Sequence, residues 1–433
     1  MLAWSLWDCG SAAFNAVITT FVFTVYLTTE EFFGPRADQQ LGWVLAAAGF
    51  AIAVLAPVAG LRADRSGRRT YWLAVNTAAV VVISAALFFV APDPDYLWLG
   101  LLLLACGHVF FELAEVNYHA MLTTVATPRN IGRVSGFGWG LGYIGGIVLL
   151  LIVYFGLINP DVGVFGITGE NGMDVRVTML ICAGWTLLFS LPVIFTVRDD
   201  VSARQRQARL GVLGSYKLLG TAIRDVWRRD HHLVYFLGAS AVFRDGLAGV
   251  FTFGGIIALG TFGFTAAEVI MFGVVANLVA GLATVAFGAV DDRIGPKKVI
   301  VGCLSAMIAA GIAIFVLHDA GKTAFWVLGL LLCVFVGPVQ SASRTLLART
   351  IPRGREGEIF GLYATTGRAV SFLAPAAFST AIALGAGLTG AADDDRVQQW
   401  GVLGIVAVLL VGLLLVIPVN ARSHPAPAPT PAS

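Results

Sequence analysis

Four ionisable residues at a 4-3-4 spacing interrupt one of the most apolar stretches of this chain: His108, Glu112, Glu115 and His119. On a helix that spacing lines them along one face, over roughly 16 Å of axis. If the stretch lies in lipid, each charge costs about 2.5–3.5 kcal/mol at the bilayer centre on insertion scales, so each needs a partner or a wet cavity. Two carboxyl groups kept from water hold a proton more readily than one in solution, so the stripe can take up and release protons. Structural ion pairing and direct solute contact are the competing readings. Metal binding fits less well, because bundle metal sites use a Glu-x-x-His step with ligands on facing helices, and that step is missing.

Other charges sit in the same kind of surroundings. Arg244-Asp245-Gly246 lies about 11 residues into an apolar run, or ~17 Å along a helix, which is near mid-bilayer. Arg368 lies mid-depth in another run, and Gln340 and Arg344 toward the end of a third. Asp8, Ser11, Asn15 and Thr19 share one face of the first run. Arg244 and Arg368 are the candidates for holding an anionic group of a small-molecule substrate, with Asn15, Asp245 and Gln340 as further contacts. The two arginines are expected in helices that face each other across the middle of the molecule. For Asp8 and Arg344, an ion pair closing a gate weighs as much as a direct role. Apart from Arg368, these charges fall in the first, fourth, seventh and tenth runs. A cavity lined by those four helices would explain why the charges are tolerated.

Two loops frame this arrangement. Gly60-Leu-Arg-Ala-Asp64-Arg65-Ser-Gly67-Arg68-Arg69 recurs as Gly288-Ala-Val-Asp-Asp292-Arg293-Ile-Gly295-Pro-Lys297-Lys298, about 228 residues later. The shared Gly-x3-Asp-Arg-x-Gly spacing, each time between two long apolar runs, marks two copies of one membrane-embedded half. A second echo pairs Thr127-Pro128 and Ser135-Gly136-Phe137 with Ile351-Pro352 and Phe360-Gly361 at nearly the same offset. The fifth run carries two rows of glycine at four-residue spacing, Gly132, Gly136, Gly140 and Gly138, Gly142, Gly146, which let another backbone approach closely.

The elements that must position these residues follow from composition. The chain is 58% hydrophobic and 12% charged, with a mean hydropathy of +0.83; soluble chains carry about 25% charged residues. About twelve runs are long enough to cross ~30 Å of hydrocarbon: 4–28, 41–61, 71–91, 97–125, 134–156, 175–197, 233–259, 266–290, 299–318, 323–349, 358–385 and 397–419. The fold class is therefore all-α and integral to a lipid bilayer, in two pseudo-symmetric six-helix halves. Residues 1–197 form the first half and 233–422 the second. Between them 198–232 reads as a linker with an interfacial amphipathic helix (Val212, Tyr216, Leu219, Ile223 and Val226 on one face), and 423–433 as a disordered Pro/Ala-rich tail. Placing both termini in the cytoplasm puts roughly 21 of the 28 Lys and Arg on that side, the positive-inside arrangement. Short loops and a preference for Arg suit a bacterial inner membrane. The five cysteines lie inside apolar runs and read as packing residues, with neither metal nor disulfide. No phosphate-binding Gly-x4-Gly-Lys-Ser/Thr loop occurs, so nucleotide is not the energy source, and no cofactor or nucleic-acid partner is indicated.

The paired loops resemble the signature of the major facilitator superfamily between helices 2 and 3 and helices 8 and 9. Within it, four segments look like the vacuole-effluxer-like branch: Trp4-Ser-Leu-Trp-Asp8-Cys-Gly-Ser11-Ala-Ala-Phe14, Ser135-Gly-Phe-Gly-Trp-Gly-Leu-Gly-Tyr143-Ile-Gly-Gly146, Arg244-Asp-Gly246, and Gln340-Ser-Ala-Ser-Arg344 with Gly361-Leu-Tyr363 and Gly367-Arg368. Ala374-Pro375 stands where the branch shows Gly-Pro, and Cys9 where it shows an aromatic. The resemblance implies export of amino acids from vacuoles in fungi and unassigned transport in bacteria, and the chain reads as a secondary transporter, a monomer, working by alternating access. The resemblance places Gly60, Asp64, Arg65, Gly67, Arg68, Arg69, Gly288, Asp292, Arg293, Gly295, Arg344 and, with them, Asp8 at a cytoplasmic gate. A mixed-charge cavity suits a zwitterion such as an amino acid, moved with protons; a proton-coupled exporter of amphiphilic drugs is the alternative. A membrane sensor or an intramembrane enzyme is less consistent, since neither a signalling domain nor a facing nucleophile–base set is evident.

Overall fold

A computed structural model describes residues 1–199, 221, 224, 227, 228, 231–389 and 395–420. Its framework is twelve helices of membrane-spanning length: α1 (Leu2–Leu27), α2 (Ala37–Ser66), α3 (Arg69–Phe89), α4 (Pro94–Val125), α5 (Ile131–Ile158), α6 (Glu170–Thr196), α7 (His231–Gly260), α8 (Ala267–Ile294), α9 (Pro296–Val316), α10 (Lys322–Thr350), α11 (Glu356–Thr389) and α12 (Val397–Val416). No strand occurs among the described residues. Each expected apolar run corresponds to one of these helices, although six of the runs overshoot a helix end by one to three residues. The helices run longer where polar residues follow the run, as in α2, which continues past the apolar 41–61 to Ser66. Hydropathy marks the lipid-facing length, whereas the helix extends into contacts beyond it. Large apolar side chains turn outward, with Trp43 73%, Phe50 74% and Phe195 77% exposed, the pattern expected of surfaces that meet lipid.

The amphipathic helix expected within 198–232 and the tail 423–433 lie almost entirely outside the described residues. The start of the linker is anchored, since the Asp199 carboxylate accepts from the backbone N–H groups of Thr70 (2.7 Å) and Tyr71 (3.4 Å) at the first turn of α3. A helix leaves its first N–H groups without intrahelical acceptors, and a carboxylate there satisfies them.

Two helix pairs make the most extensive contact between the halves, α2 with α11 and α5 with α8, and α10 with α5 and α11 with α4 add to it. The glycine rows of α5 divide between them. A Cβ on Gly132, Gly136 or Gly140 would meet α8 at 2.5–2.8 Å, whereas one on Gly138 or Gly146 would meet α1 at 2.6 and 3.2 Å. One row is the interface with the other half; the second is packing within the first. On α2, Pro57 has no N–H to give the carbonyl of Ala53, and Thr365 of α11 donates its hydroxyl to that carbonyl instead (2.9 Å). Regular turns are interrupted in α1 and α11. Residues Ala13–Phe21 of α1 widen to i→i+5 hydrogen bonding, and α11 breaks between Val370 and Leu373.

Candidate functional site

The two repeated loops build two equivalent latches. Asp64, at the end of α2, accepts from the N–H groups of Gly357 and Glu358 in the first turn of α11, both at 2.9 Å. Asp292, at the end of α8, accepts from Gly132 and Arg133 in the first turn of α5, at 2.8 and 3.1 Å. Each half thus places a carboxylate on the positive end of a helix from the other half. The glycine one turn earlier makes the approach possible: a Cβ on Gly60 would stand 1.9 Å from the Gly357 carbonyl oxygen, and one on Gly288 2.8 Å from that of Gly132. Gly67 (φ 64°) and Gly295 (φ 91°) supply the left-handed turns that follow.

Charges close around each latch. Arg69 binds Asp64 (2.7 Å) and Glu356 of α11 (2.5 Å). Arg349 of α10 faces Asp292 (3.2 Å) and Asp291 (3.7 Å), while Arg133 reaches Asp292 at 3.7 Å from an exposed position. Arg65, Arg68 and Arg293, also expected at the gate, join none of these bonds. Arg68 and Arg293 are exposed, and Arg65 is half-buried with Nη1 unbonded.

Above the latches Arg344 forms a plug. It is 1% exposed, donates to the Ser135 hydroxyl (3.0 Å) and carbonyl (2.7 Å) on α5, and faces Asp8 at 3.6 Å. Tyr118 donates to Asp8 (2.7 Å), and the Trp4, Trp139 and Tyr118 rings stand 5.0–5.8 Å from the guanidinium. A buried cation needs such a carboxylate and such ring faces to offset its lost hydration. The gate assignment of Asp8 and Arg344 rests on this crossing between the halves.

Beyond the plug the polar residues lie more openly. Along α1, Asp8 and Ser11 are buried, Thr19 is half-buried, and Asn15 and Thr20 are exposed. Glu112 of α4 pairs with Arg368 of α11 across the halves. Glu115 approaches His119 at 3.5 Å; His119 itself is buried between the Trp139 and Phe360 rings. His108 meets Phe14 edge-on at 5.5 Å. The expected stripe therefore runs past the Glu112–Arg368 pair to the rings around the Arg344 plug. Arg244 lies over the Tyr363 ring (3.8 Å) and donates to the Tyr363 carbonyl (3.2 Å); among the described residues it makes no ion pair. Asp245 turns the other way and accepts from the Ala374 N–H (2.6 Å), where α11 resumes after its break. Gln340 is half-buried on α10.

The structure corrects one expectation. Arg244 and Arg368 do not face each other across the boundary between halves: α7 and α11 pack side by side within the second half, with Gly367 against the Arg244 guanidinium. What faces Arg368 from the first half is Glu112. Sequence reasoning also passed over Glu356, Arg349, Ser343 and Tyr363 as functional residues. The acidic pair Glu356 and Glu358 at a helix start was a readable signal for the first of these. Ser343 and Tyr363 stand in segments that resemble the vacuole-effluxer-like branch, but their types and spacing gave neither a role.

Comparison with known proteins follows the same lines. Residues 123–423 match the family profile described as vacuole effluxer Atg22 like. The uncharacterized MFS-type transporter YxiO of Bacillus subtilis is 27% identical over 423 residues, covering 95% of this chain and 93% of that protein. Autophagy-related protein 22 of Yarrowia lipolytica is 24% identical over 302 residues, 63% of this chain, and the match spans about half (49%) of the fungal protein. Among solved structures, the proton:xylose symporter XylE bound to 6-bromo-6-deoxy-D-glucose superposes with a TM-score of 0.72 at 14% identity, covering 98% and 96% of the two chains. A bacterial homologue of the iron transporter ferroportin in the outward-facing state gives 0.70 at 14% identity, covering 97% and 98%.

Proposed function

Because this chain belongs to the vacuole effluxer Atg22-like family of major facilitator transporters, we propose that it moves an amino-acid-like zwitterion or another small carboxylate by alternating access, coupled to protons. The observation that carries this reading is the imbalance of charge around the cavity. Among the described residues Arg244 makes no ion pair, and the one ion-pair contact of Glu115 is the His119 ring at 3.5 Å. A solute bearing a carboxylate and an ammonium would complete both. The guanidinium fork can bind a carboxylate bidentately, which a lysine cannot.

Arg368 and Glu112 supply the coupling. A proton on Glu112 removes the charge that holds Arg368, which frees that guanidinium for the solute and loosens the bond between the halves. His108 and Glu115 extend the proton-handling face toward His119 and the plug. Asn15 and Gln340 complete the contacts from α1 and α10. Asp245 supports the site indirectly, through the break in α11. Both termini are placed in the cytoplasm by the distribution of Lys and Arg, in a bacterial inner membrane, and the direction that the family description favours is export.

The drug-exporter alternative draws on a small apolar cavity of about 40 Å³ lined by Val250, Phe272, Phe325, Leu332 and Val406 among others. It lies inside the second bundle, away from the charged residues, and we favour the zwitterion for that reason.

A thermal-shift screen of the purified protein against amino acids, other carboxylates, sugars and amphiphilic cations tests the substrate class, followed by flux into liposomes. Arg244→Lys should raise the apparent dissociation constant of an active carboxylate ~10-fold, about 1.4 kcal/mol for one lost charged hydrogen bond. Unchanged affinity with a lower apo melting temperature would make Arg244 a structural clamp. Glu112→Gln should retain solute exchange yet lose accumulation driven by a proton gradient; accumulation equal to the parent's would remove Glu112 from coupling.

A further inference from the structure

Tyr363 joins the two functional regions through three contacts of one buried side chain and its carbonyl. The ring lies 3.8 Å beneath the Arg244 guanidinium in the cavity, and the carbonyl accepts from Arg244 at 3.2 Å. The hydroxyl shares a 2.8 Å hydrogen bond with Ser343, which is fully buried on α10. Ser343 immediately precedes Arg344, whose guanidinium forms the plug against Ser135 and Asp8. Cavity cation, aromatic ring, buried hydroxyl pair and plug cation therefore form one continuous set of contacts over α7, α11 and α10.

We propose that Tyr363 is the positioning residue through which the state of Arg244 controls the Arg344 plug. The proposal rests on the reading of Arg244 as the group that takes the solute's carboxylate. A carboxylate at Arg244 draws the guanidinium off the ring and away from the Tyr363 carbonyl. The ring is rigid, so its tilt is passed to the hydroxyl. Neither the hydroxyl nor Ser343 can turn to water, and a broken bond there leaves two buried polar groups unpaired. The pair is thus held or re-formed in a new place instead of loosening gradually. Moving it moves the turn of α10 that carries Arg344, and with it the contacts with Ser135 that hold the halves together. Because both ends of the path bias one two-position element, they must be energetically coupled.

The test needs no solute. Ala342, buried beside the plug, is replaced by cysteine as a reporter in the full chain in nanodiscs, and its maleimide labelling is measured above that of the five native cysteines. Arg244→Met, which removes the cation lying over the Tyr363 ring, should change the labelling rate at least ~3-fold. In a Tyr363→Phe background, which keeps the ring and loses only the hydroxyl, the same substitution should change it less than ~1.5-fold. An Arg244→Met effect that persists in full with Tyr363→Phe overturns the proposal, as does the absence of any effect in the parent background. Arg244→Gln serves as the second variant if Arg244→Met fails to fold. Melting temperatures of the same proteins separate a merely structural role, which would lower stability in both backgrounds and leave labelling alike. Failure of the zwitterion reading would instead appear as a parent protein without carboxylate-induced thermal shifts and an intact labelling pattern.

Discussion

The two latches share a backbone plan and differ in where their charges go. In both, a glycine and an aspartate one helical turn apart bring one helix end onto the first turn of a helix from the other half. At the first latch the cation, Arg69, also binds Glu356, so an ion pair crosses between halves alongside the capping bonds. At the second the half-buried cation, Arg349, belongs to the same half as Asp291 and Asp292, and the one crossing ion pair is the exposed Arg133. The sequences differ at the matching step, Ala63 before Asp64 against Asp291 before Asp292. One repeated geometry thus carries a charged lock between the halves at the first loop and chiefly a backbone contact between them at the second.

The largest effect that sharpens this contrast is steric. Gly60→Ala puts a methyl group 1.9 Å from a carbonyl oxygen, and Gly288→Ala one at 2.8 Å. Overpacking costs about 1–3 kcal/mol, so Gly60→Ala should shift the resting population toward the open latch ~10-fold or more, and Gly288→Ala by less. Spin-label distances between the loop ends of α2 and α11 and of α5 and α8 read this directly; equal shifts would mean the two approaches are equally tight in the membrane. The next effect concerns charge. Arg69→Gln removes an ion pair that crosses the halves, whereas Arg349→Gln removes one that does not. With hydrogen bonds to charged groups worth about 1.5–3 kcal/mol, Arg69→Gln should open the latch end several-fold more than Arg349→Gln. The reverse order would place the charged lock at the second loop.

Much of this was legible beforehand, for physical reasons. Lipid leaves a chain little choice but long apolar helices, so the twelve spans could be read from hydropathy. The loop repeat could be read because glycine and aspartate each have a specific task at a fixed step. What Asp64 and Asp292 bind could not be read, since their partners are backbone N–H groups and every residue but proline has one. The same holds for the Ala53 carbonyl released by Pro57: the proline was visible, and Thr365 as its remedy was not. Charges among the helices were visible as anomalies, yet the pairing of Arg368 with Glu112, and of Arg244 with an aromatic ring, depends on which helices neighbour one another between the halves and within one. That arrangement comes from packing over the whole bundle and leaves no local mark at positions 244 or 368.

The smallest expected effect tests whether crossing charge matters by itself or only when buried. Arg133 crosses the halves to Asp292 as Arg69 crosses to Glu356, but its side chain is 55% exposed and its nitrogen stands 3.7 Å from the carboxylate. An ion pair that open to water is worth about 0–1 kcal/mol and is screened by salt. The stronger contribution of this residue is its backbone N–H, which Asp292 accepts at 3.1 Å and which no side-chain substitution removes. Arg133→Gln should therefore leave the α5–α8 distance distribution within about 2-fold of the parent's populations, and raising the salt should erase even that difference. Arg69→Gln should keep its effect at high salt, because the bonds it breaks are largely withdrawn from water. If Arg133→Gln opened the latch as far as Arg69→Gln, exposed crossing charge would be sufficient, and the two latches would be equivalent locks after all.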